Sequence, residues 1–368
     1  MSDRLTVALV FGGRSGEHDV SLMSARSVLS VLDPEKYTVI EIGISRDGLW
    51  FTGKNVLQAF ENNDYSSLTS VALLPEPHAQ PLFTRDGEKL NPLPVIDVFF
   101  PVTHGSFGED GTLQGLFELA DVAYVGCGVL ASAVGMDKSL FKDVMRSNGI
   151  PVVDSILVNR AEISRSIENV IHLVEQSLSY PVFIKPANLG SSVGITKGTS
   201  RSDVYEGLLE ASQFDRRVLI ERGVNAREIE VSVLGNENPI ASTPGEIRPS
   251  DDFYTYEAKY LDEHSELIIP ARIDEQVANT CKEMALRAYK AIDGAGMARV
   301  DFLLDRETQE IYLSEVNTIP GFTRISMYPK LLQFEGITYE ALVEKLIQYA
   351  IARKSDRDQT LHTYRRNA

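Results

Sequence analysis

Apolar and polar positions change their rhythm along the chain. Residues 5–11, LTVALVF, form an unbroken apolar run of strand length, the pattern of a strand buried on both faces. The turn Gly12-Gly13-Arg14-Ser15-Gly16 ends it. Over residues 19–32, Val20, Met23, Val28 and Val31 recur at the spacing of a helix with one buried face. Residues 37–44 predict a second strand, and Arg46-Asp47-Gly48 turns it into the short apolar segment 49–51. Residues 53–94 are polar and rich in Pro and Asn, so loops and short elements are expected there. A strong strand follows at 95–102, then a loop over 104–112. Strand, helix, strand at this spacing predicts a doubly wound parallel sheet for the first third.

Past residue 130 the rhythm differs. A helix over 139–147 ends at Asn148-Gly149, with Pro151 two residues beyond the glycine, which is a helix-stop signature. Short strands then come in pairs: 181–185 with 193–197, 228–234 with 239–242, and 298–304 with 310–316. Antiparallel hairpins dominate, with helices expected at 274–292 and 339–352. The class is α/β followed by α+β, without an internal repeat. From Lys354 the tail is polar and is expected to fray.

Composition narrows the picture. A chain of 368 residues suits two or three subdomains. It has no run of about 18 apolar residues, so no membrane partner is expected. Its N-terminus reads as a first strand rather than a signal peptide. Cys127 and Cys281 are the only cysteines and give no disulfide or zinc spacing, so a cytoplasmic location is expected. The net charge of -16 argues against nucleic acid. It also requires Lys and Arg to be gathered locally wherever phosphate binds.

Five stretches carry candidate chemistry. Residues 12–21, GGRSGEHDVS, follow a strand and open a helix, so backbone N–H groups can face a ligand. An ordinary glycine turn reads equally well. Glu17, His18 and Asp19 crowd that helix start, where an acid suits a substrate ammonium as well as the helix dipole. Residues 183–195, FIKPANLGSSVGI, deliver Lys185 into a loop in which Gly190, Ser191 and Ser192 can approach phosphate oxygens. The alternative is a plain Gly-Ser hairpin. The most specific pair is Arg299-Val-Asp301 with Glu315-Val-Asn317. Side chains alternate along a strand, so the outer residues of each triplet share a face. Asp301, Glu315 and Asn317 then gather hard oxygen ligands suited to Mg²⁺ shared with ATP phosphates. Arg299 on that face can hold an acyl phosphate or a developing oxyanion. A salt-bridged strand face is the alternative. Residues 320–329, PGFTRISMYP, form a rigid loop able to hold a carboxylate, and residues 251–260, DDFYTYEAKY, read as a lid or a surface loop. His104 sits where open α/β sheets bind ligands, or serves the fold. Glu221 and Glu228 can hold adenine or ribose, or be solvated. Lys138 at a helix start is a site residue or surface charge.

Taken in order, these stretches resemble one family. GG-R-S-x-E-H-x-V-S, H-G-x-x-G-E-D-G, M-D-K, K-P-x-x-x-G-S-S-V-G, E-A-K-Y, R-V-D and E-V-N-T-x-P-G-F-T-x-x-S-x-Y-P look like the D-alanine–D-alanine ligases of the ATP-grasp superfamily, from about Val7 to about Ala352. The resemblance implies an ATP-grasp fold with an N-terminal doubly wound domain (1–129), a central subdomain (130–221), a C-terminal subdomain with a lid loop (222–352) and a polar tail (353–368). It implies that ATP is bound by Lys138, Lys185, Glu221, Glu228, Lys259 and the Gly190-Ser191-Ser192 loop. Two Mg²⁺ or Mn²⁺ would sit on Asp301, Glu315 and Asn317. Glu17 would take the first D-alanine's ammonium, and Arg299 and the Gly321 N–H its carboxylate, with His104 a further substrate-binding candidate. Ser326 and the Met327 backbone would take the second D-alanine. Glu17, Ser191 and Tyr260 would form a hydrogen-bonded group closing the lid. Relatives making D-alanyl-D-lactate tend to lack this Tyr, so an amine acceptor is favoured. Family members are commonly homodimers. Asp19 stands where many members carry Glu.

The implied reaction converts a carboxylate to an acyl phosphate, which the second D-alanine attacks through its neutral amine. Loss of one oxyanion donor typically costs about 10²–10³ in rate, so Arg299→Ala is expected to lose at least that in a protein that still folds. A D-lactate- or D-serine-using ligase of the same family is the near alternative. A dinucleotide-dependent oxidoreductase lacks its glycine fingerprint and ribose acid here. A non-catalytic ATP-binding protein has no need of metal ligands beside an arginine.

Overall fold

The computed structural model describes residues 4–77, 80–190, 193–248 and 266–361. Strand β1 (Leu5–Gly12) lies parallel to β2 (Tyr37–Ile44) on one side and to β7 (Val98–Pro101) on the other. Its unbroken apolar run is explained by burial on both faces. Helix α1 (His18–Leu29) buries Val20, Leu22, Ala25 and Val28 and stops short of the predicted end at 32.

The sheet is wider and less parallel than the sequence suggests. Between β2 and β7 the chain forms β3 (Trp50–Thr52), α2 (Val56–Glu61), β4 (Thr69–Leu73), β5 (Leu82–Asp86) and β6 (Lys89–Pro92). The strand order is β6-β5-β4-β3-β2-β1-β7, and every pair beyond β2 is antiparallel. These strands are short and half-exposed, and β6 is exposed at all four positions and ends in proline, which an edge tolerates. Little hydrophobic alternation was therefore available to signal them. Helix α3 (Thr112–Leu119) follows, burying Leu113 and Phe117.

The second sheet has β8 (Ser155–Asn159), β9 (Val182–Pro186), β10 (Thr196–Gly198) and β11 (Arg217–Arg222) in the antiparallel order β10-β9-β11-β8. Val182, Ile184, Val218 and Ile220 face a core closed by Val170, Val174, Val204 and Leu208 from two covering helices. Within α4 (Val129–Met136), α5 (Lys138–Ser147), α6 (Arg160–Arg165), α7 (Ile167–Ser177) and α8 (Arg201–Phe214), the first two belong elsewhere. Ala131, Phe141 and Met145 pack with Val231, Val300, Phe302 and Cys281, beneath the third sheet.

That third sheet contains β12 (Ala226–Leu234), β13 (Ile240–Ala241), β14 (Gly245–Arg248), β15 (Glu266–Ile268), β16 (Met297–Asp305) and β17 (Ile311–Asn317). Its order is β15-β14-β12-β16-β17, with β13 on β12. Helix α9 (Glu275–Ala291) covers the back through Cys281, Met284 and Ala288. Both cysteines are buried thiols. Two helices close the chain, α10 (Met327–Phe334) and α11 (Tyr339–Arg357).

The expected fraying from Lys354 is corrected as far as Arg357, while residues 362–368 lie outside the described residues. Helix α11 runs on to Arg357 because its polar end docks on the N-terminal body. The Arg353 guanidinium lies 4.1 Å over the Tyr124 ring and donates to the Gly126 carbonyl at 2.6 Å. Arg357 pairs with Glu118 and Asp121, and Lys354 with Asp121. Single partly exposed ion pairs contribute up to about 1 kcal/mol. Order here comes from the set of them, plus Leu346, Ile347 and Ala350 in the core shared with β1 and β7. Among the described residues no helix is long and apolar enough to cross a membrane.

Candidate active site

A cleft of about 1790 Å³ opens between the second and third sheets and reaches the start of α1. Alternation decides what faces it. On β9 and β11 the residues opposite the core are Phe183, Lys185 and Glu221. On β12, β16 and β17 they are Glu228, Glu230, Arg299, Asp301, Glu315 and Asn317.

The register of the third sheet brings three carboxylates into one row. Glu230 on β12 stands opposite Asp301 on β16, which stands opposite Glu315 on β17. The next row is Ser232, Arg299 and Asn317. Like charges side by side on a sheet face are destabilising, and Arg299 answers them. Its Nε and Nη2 donate to the two Asp301 oxygens at 2.8 and 2.6 Å, and Nε lies 3.1 Å from a Glu230 oxygen. Burial would make the guanidinium easier to deprotonate, but Asp301 and Glu230 outweigh it and hold Arg299 charged. The Asn317 amide donates to Asp301 at 2.9 Å and to Glu315 at 3.4 Å. Among the described residues no group of three His, Cys, Asp or Glu side chains is placed to hold a metal. Two carboxylates and an amide suit Mg²⁺, which keeps waters and takes phosphate oxygens for its remaining positions.

Across the cleft, Lys142 and Lys185 share Glu221: Lys142 Nζ is 2.5 Å from one oxygen and Lys185 pairs with the other. Burial alone would raise the Glu221 carboxyl, but the two ammonium groups hold it down at about 2. Lys138, at the start of α5, donates from Nζ to the Leu189 carbonyl at 2.5 Å, while its backbone N–H donates to Ala187. It thereby ties that helix to the loop bearing Gly190.

The third wall is the turn after β1. Gly12 N–H donates to Ser21, whose hydroxyl donates to the Val102 carbonyl, so the turn, α1 and β7 are knotted together. Glu17 is 6% exposed and its carboxylate fills the space beside two glycines. A Cβ on Gly105 would fall 2.6 Å from it and one on Gly190 2.8 Å, so a side chain at either would push the Glu17 carboxylate aside, and at Gly105 the φ of +74° would strain it as well. His104 is buried. Its Nδ1 faces the Ile319 carbonyl at 3.1 Å and must carry the proton; its Nε2, 2.9 Å from Ser24 Oγ, then accepts. Burial keeps the ring neutral against the pull of Glu17. Both nitrogens are thus engaged by the protein, and the ring holds the 319–321 segment against α1.

The last wall is the loop into α10. Ser326 precedes the helix, and its hydroxyl lies 2.8 Å from Thr323 Oγ1 and 3.2 Å from the Thr323 nitrogen. A Cβ on Gly321 would fall 3.2 Å from Ser326 Oγ, so the Gly321 backbone and the serine face each other. Phe322 is fully buried, and its carbonyl accepts from Tyr339 at 2.6 Å, which pins the loop. The Met327 side chain is core, packed with Ile247 and Leu331. Only its backbone, at the helix start, is available to a ligand.

This arrangement has known relatives. The family described as D-ala D-ala ligase C-terminus matches residues 144–348, and the D-ala D-ala ligase N-terminus matches residues 6–127. The chain belongs to the D-alanine–D-alanine ligase family. It is 48% identical over 354 residues to the D-alanine–D-alanine ligase of Heliobacterium modesticaldum, covering 96% of each chain. It is 48% identical to that of Caldicellulosiruptor bescii, covering 95% of each. Among solved structures it resembles the D-alanine–D-alanine ligase of Coxiella burnetii, with a TM-score of 0.84, 32% identity and 97% of both chains covered. It also resembles the VanG D-Ala:D-Ser ligase of Enterococcus faecalis, with a TM-score of 0.83, 35% identity, and 95% of this chain and all of that one covered.

Within this family member, one cleft collects Glu17, His104, Lys138, Lys185, Gly190, Glu221, Glu228, Arg299, Asp301, Glu315, Asn317, Gly321, Ser326 and Met327. Ser191, Ser192, Lys259 and Tyr260 lie outside the described residues. Three residues escaped sequence reasoning. Lys142 lies one helical turn after Lys138, and Glu230 two residues after Glu228, so periodicity puts each on the face of its neighbour but does not show the distant partners, Glu221 and Asp301, that bring them into the site. Glu109 sits in the H-G-x-x-G-E-D-G stretch and accepts from Gly105 N–H at 3.0 Å. Burial first, then the nearby Glu17 and Glu315, push its carboxyl well above the ordinary glutamate value, against Gly105 and Lys138.

A stability prediction follows from Glu109. With a raised native value, the unfolded chain loses its proton first as pH rises, so stability falls with pH above the ordinary carboxyl range. Glu109→Gln removes that loss. In ligand-free protein near about pH 7 its melting temperature should exceed wild type by a few degrees, at roughly 2–4 °C per kcal/mol. The gain should vanish as pH is lowered toward about 4. Melting curves across that range decide it, and a gain that does not change with pH would reject the repelled carboxyl.

Proposed function

We propose that this protein is an ATP-dependent ligase that joins two D-alanines into D-alanyl-D-alanine for peptidoglycan precursors. The observation that carries this reading is the Arg299-Asp301-Glu315-Asn317 row facing Lys138 and Lys185 across one cleft, with Glu17 at its inner end. A phosphate donor would lie between the sheets, with Lys138, Lys185, the Gly190-Ser191-Ser192 loop and Lys259 at its phosphates. Glu221 and Glu228 would hold the nucleoside. Asp301, Glu315 and Asn317 would hold two Mg²⁺, or Mn²⁺, once the Asn317 amide turns its oxygen inward. Bound there, the metal offsets phosphate charge in an acidic protein.

The first D-alanine would place its ammonium on Glu17 and its carboxylate on Arg299 and the Gly321 N–H, with the edge of His104 as wall. A carboxylate oxygen attacks the terminal phosphorus of ATP, the bond to ADP breaks, and an acyl phosphate forms. The second D-alanine, held through its carboxylate by Ser326 and the Met327 N–H at a helix start, attacks the acyl carbon through its neutral amine. Arg299 and Gly321 hold the oxyanion until phosphate leaves. Glu17, Ser191 and Tyr260 would join to close the 251–260 loop as a lid, excluding water. We propose three bodies near 1–129, 130–221 and 222–352, with helix α11 carrying the last on to Arg357 and α4 and α5 packed on its core. The working form would be a cytoplasmic homodimer.

D-alanine-dependent release of phosphate and ADP in equal amounts, with a dipeptide of matching mass, is the expected result with MgATP. Folded protein that releases none would reject the reading. Likeness to a D-Ala:D-Ser ligase favours one second reading, a D-serine acceptor. Relatives named D-alanine–D-alanine ligase are nearer, at 48% against 35% identity, so D-alanine is preferred. Products formed from D-alanine, D-serine and D-lactate in competition distinguish them.

A further inference from the structure

The Glu221 carboxylate has two ammonium partners where one would neutralise it. Lys185 reaches it from β9 on the cleft side, with its side chain 20% exposed. Lys142 reaches it from α5 and is 2% exposed, among the largest fully buried side chains in the molecule. A buried lysine is costly unless paired, and a neutral side chain would fill the same space. The helix that carries Lys142 cannot shift freely. Phe141 and Met145 anchor it in the core of the third sheet, and Asp137 at its start pairs with Arg217 on the same strand as Glu221. Lys142 is therefore a fixed cation behind Glu221, and Lys185 the cleft-facing one in front.

We propose that Lys142 is a positioning residue for the nucleotide: it keeps the Glu221 carboxylate charged and aimed at the cleft, which frees Lys185 to move onto phosphate and leaves Glu221 to accept from the 6-amino group of the purine. The inference rests on the reading of Glu221 and Lys185 as nucleotide-binding residues. Its logic is charge balance. With both lysines present, Glu221 remains in a neutral pair after Lys185 leaves. Without Lys142, Glu221 either retains Lys185 and denies it to phosphate, or takes up a proton. A protonated carboxyl donates as well as accepts, so it no longer distinguishes an amino group from a carbonyl at that position.

Inosine triphosphate tests this, because it carries a carbonyl oxygen in place of the 6-amino group, with a proton on the neighbouring N1. Equilibrium binding of MgATP and MgITP is measured without D-alanine for the wild type, Lys142→Met, Glu221→Gln and the double variant. Wild type should favour ATP. Lys142→Met should weaken MgATP about 10-fold or more, with most of the ATP-over-ITP preference lost where Glu221 takes up a proton and kept where it retains Lys185. The double variant has neither charge left to strand, so it guards against failure of Lys142→Met to fold. It should show the preference of Glu221→Gln alone. If Lys142→Met keeps both the wild-type affinity and the wild-type preference while Glu221→Gln loses the preference, or if adding Lys142→Met changes the preference of Glu221→Gln, the positioning role is overturned and the nucleotide site stands. If Glu221→Gln alters neither affinity nor preference, the reading of Glu221 falls and the inference with it.

Discussion

Arg299→Lys is expected to lower the rate of D-alanine-dependent ADP formation by about 10²–10³ while the melting temperature stays close to wild type. The guanidinium grips both Asp301 oxygens, with Glu230 also within reach of its Nε. A lysine ammonium supplies the charge that three neighbouring carboxylates require, but as a point charge without the planar fork. It cannot hold Asp301 along one edge and present donors to an oxyanion along another. Activity should therefore fall much further than stability. Alanine is the poorer test, and here the structure changes the expectation drawn from sequence. Arg299→Ala removes the guanidinium that pairs with the buried Glu230 and Asp301, and breaking a buried pair from one side costs about 3–5 kcal/mol. Lost activity in that variant would report partly on folding. Steady-state rates and melting curves on Arg299→Lys separate the two. Near-normal turnover would remove the oxyanion role, and a collapsed melting temperature would make Arg299 a structural cation first.

What the sequence makes legible follows from how each residue is fixed. The 297–317 hairpin could be read because strand alternation alone puts Arg299 with Asp301 and Glu315 with Asn317 on one face. That face also contains Glu230, which alternation along β12 cannot reveal without the register that sets it opposite Asp301. The helix stop at Asn148-Gly149 was readable because a left-handed residue there needs glycine, and Gly149 has φ +65°. Strands β4 to β6 were not, since half-exposed edge strands lack the alternation that burial imposes. Lys142 carries no signal of its own in the sequence beyond its place one helical turn after Lys138. Only the meeting of α5 with β11 buries it, and contacts between distant segments leave no local trace. The same holds for Lys354 and Arg357, whose polar composition suggested fraying until Glu118 and Asp121 were seen across from them.

Glu315→Gln should separate stability from function in opposite directions. In ligand-free protein the change removes one carboxylate from a row of three, beside which Arg299 pairs with Asp301 and Glu230 among the described residues. It also eases the repulsion that raises Glu109. Glutamine keeps the shape and still accepts from the Asn317 amide, so the melting temperature without metal or nucleotide should rise. Turnover should fall steeply. A neutral amide oxygen is a weaker ligand for a hard divalent cation than a carboxylate, and metal at transferring phosphates supplies several kcal/mol of charge stabilisation. At about 1.4 kcal/mol per decade, loss of most of that corresponds to a rate on the order of 10³ lower. Raised Mg²⁺ should recover part of the loss, because the defect lies in holding the metal. Melting curves with and without MgATP, and rates over a Mg²⁺ titration, test both halves. MgATP should stabilise the wild type by mass action and the variant much less. A variant that melts lower than wild type without ligand would show that Glu315 is a structural partner, and one that turns over normally would exclude it as a metal ligand.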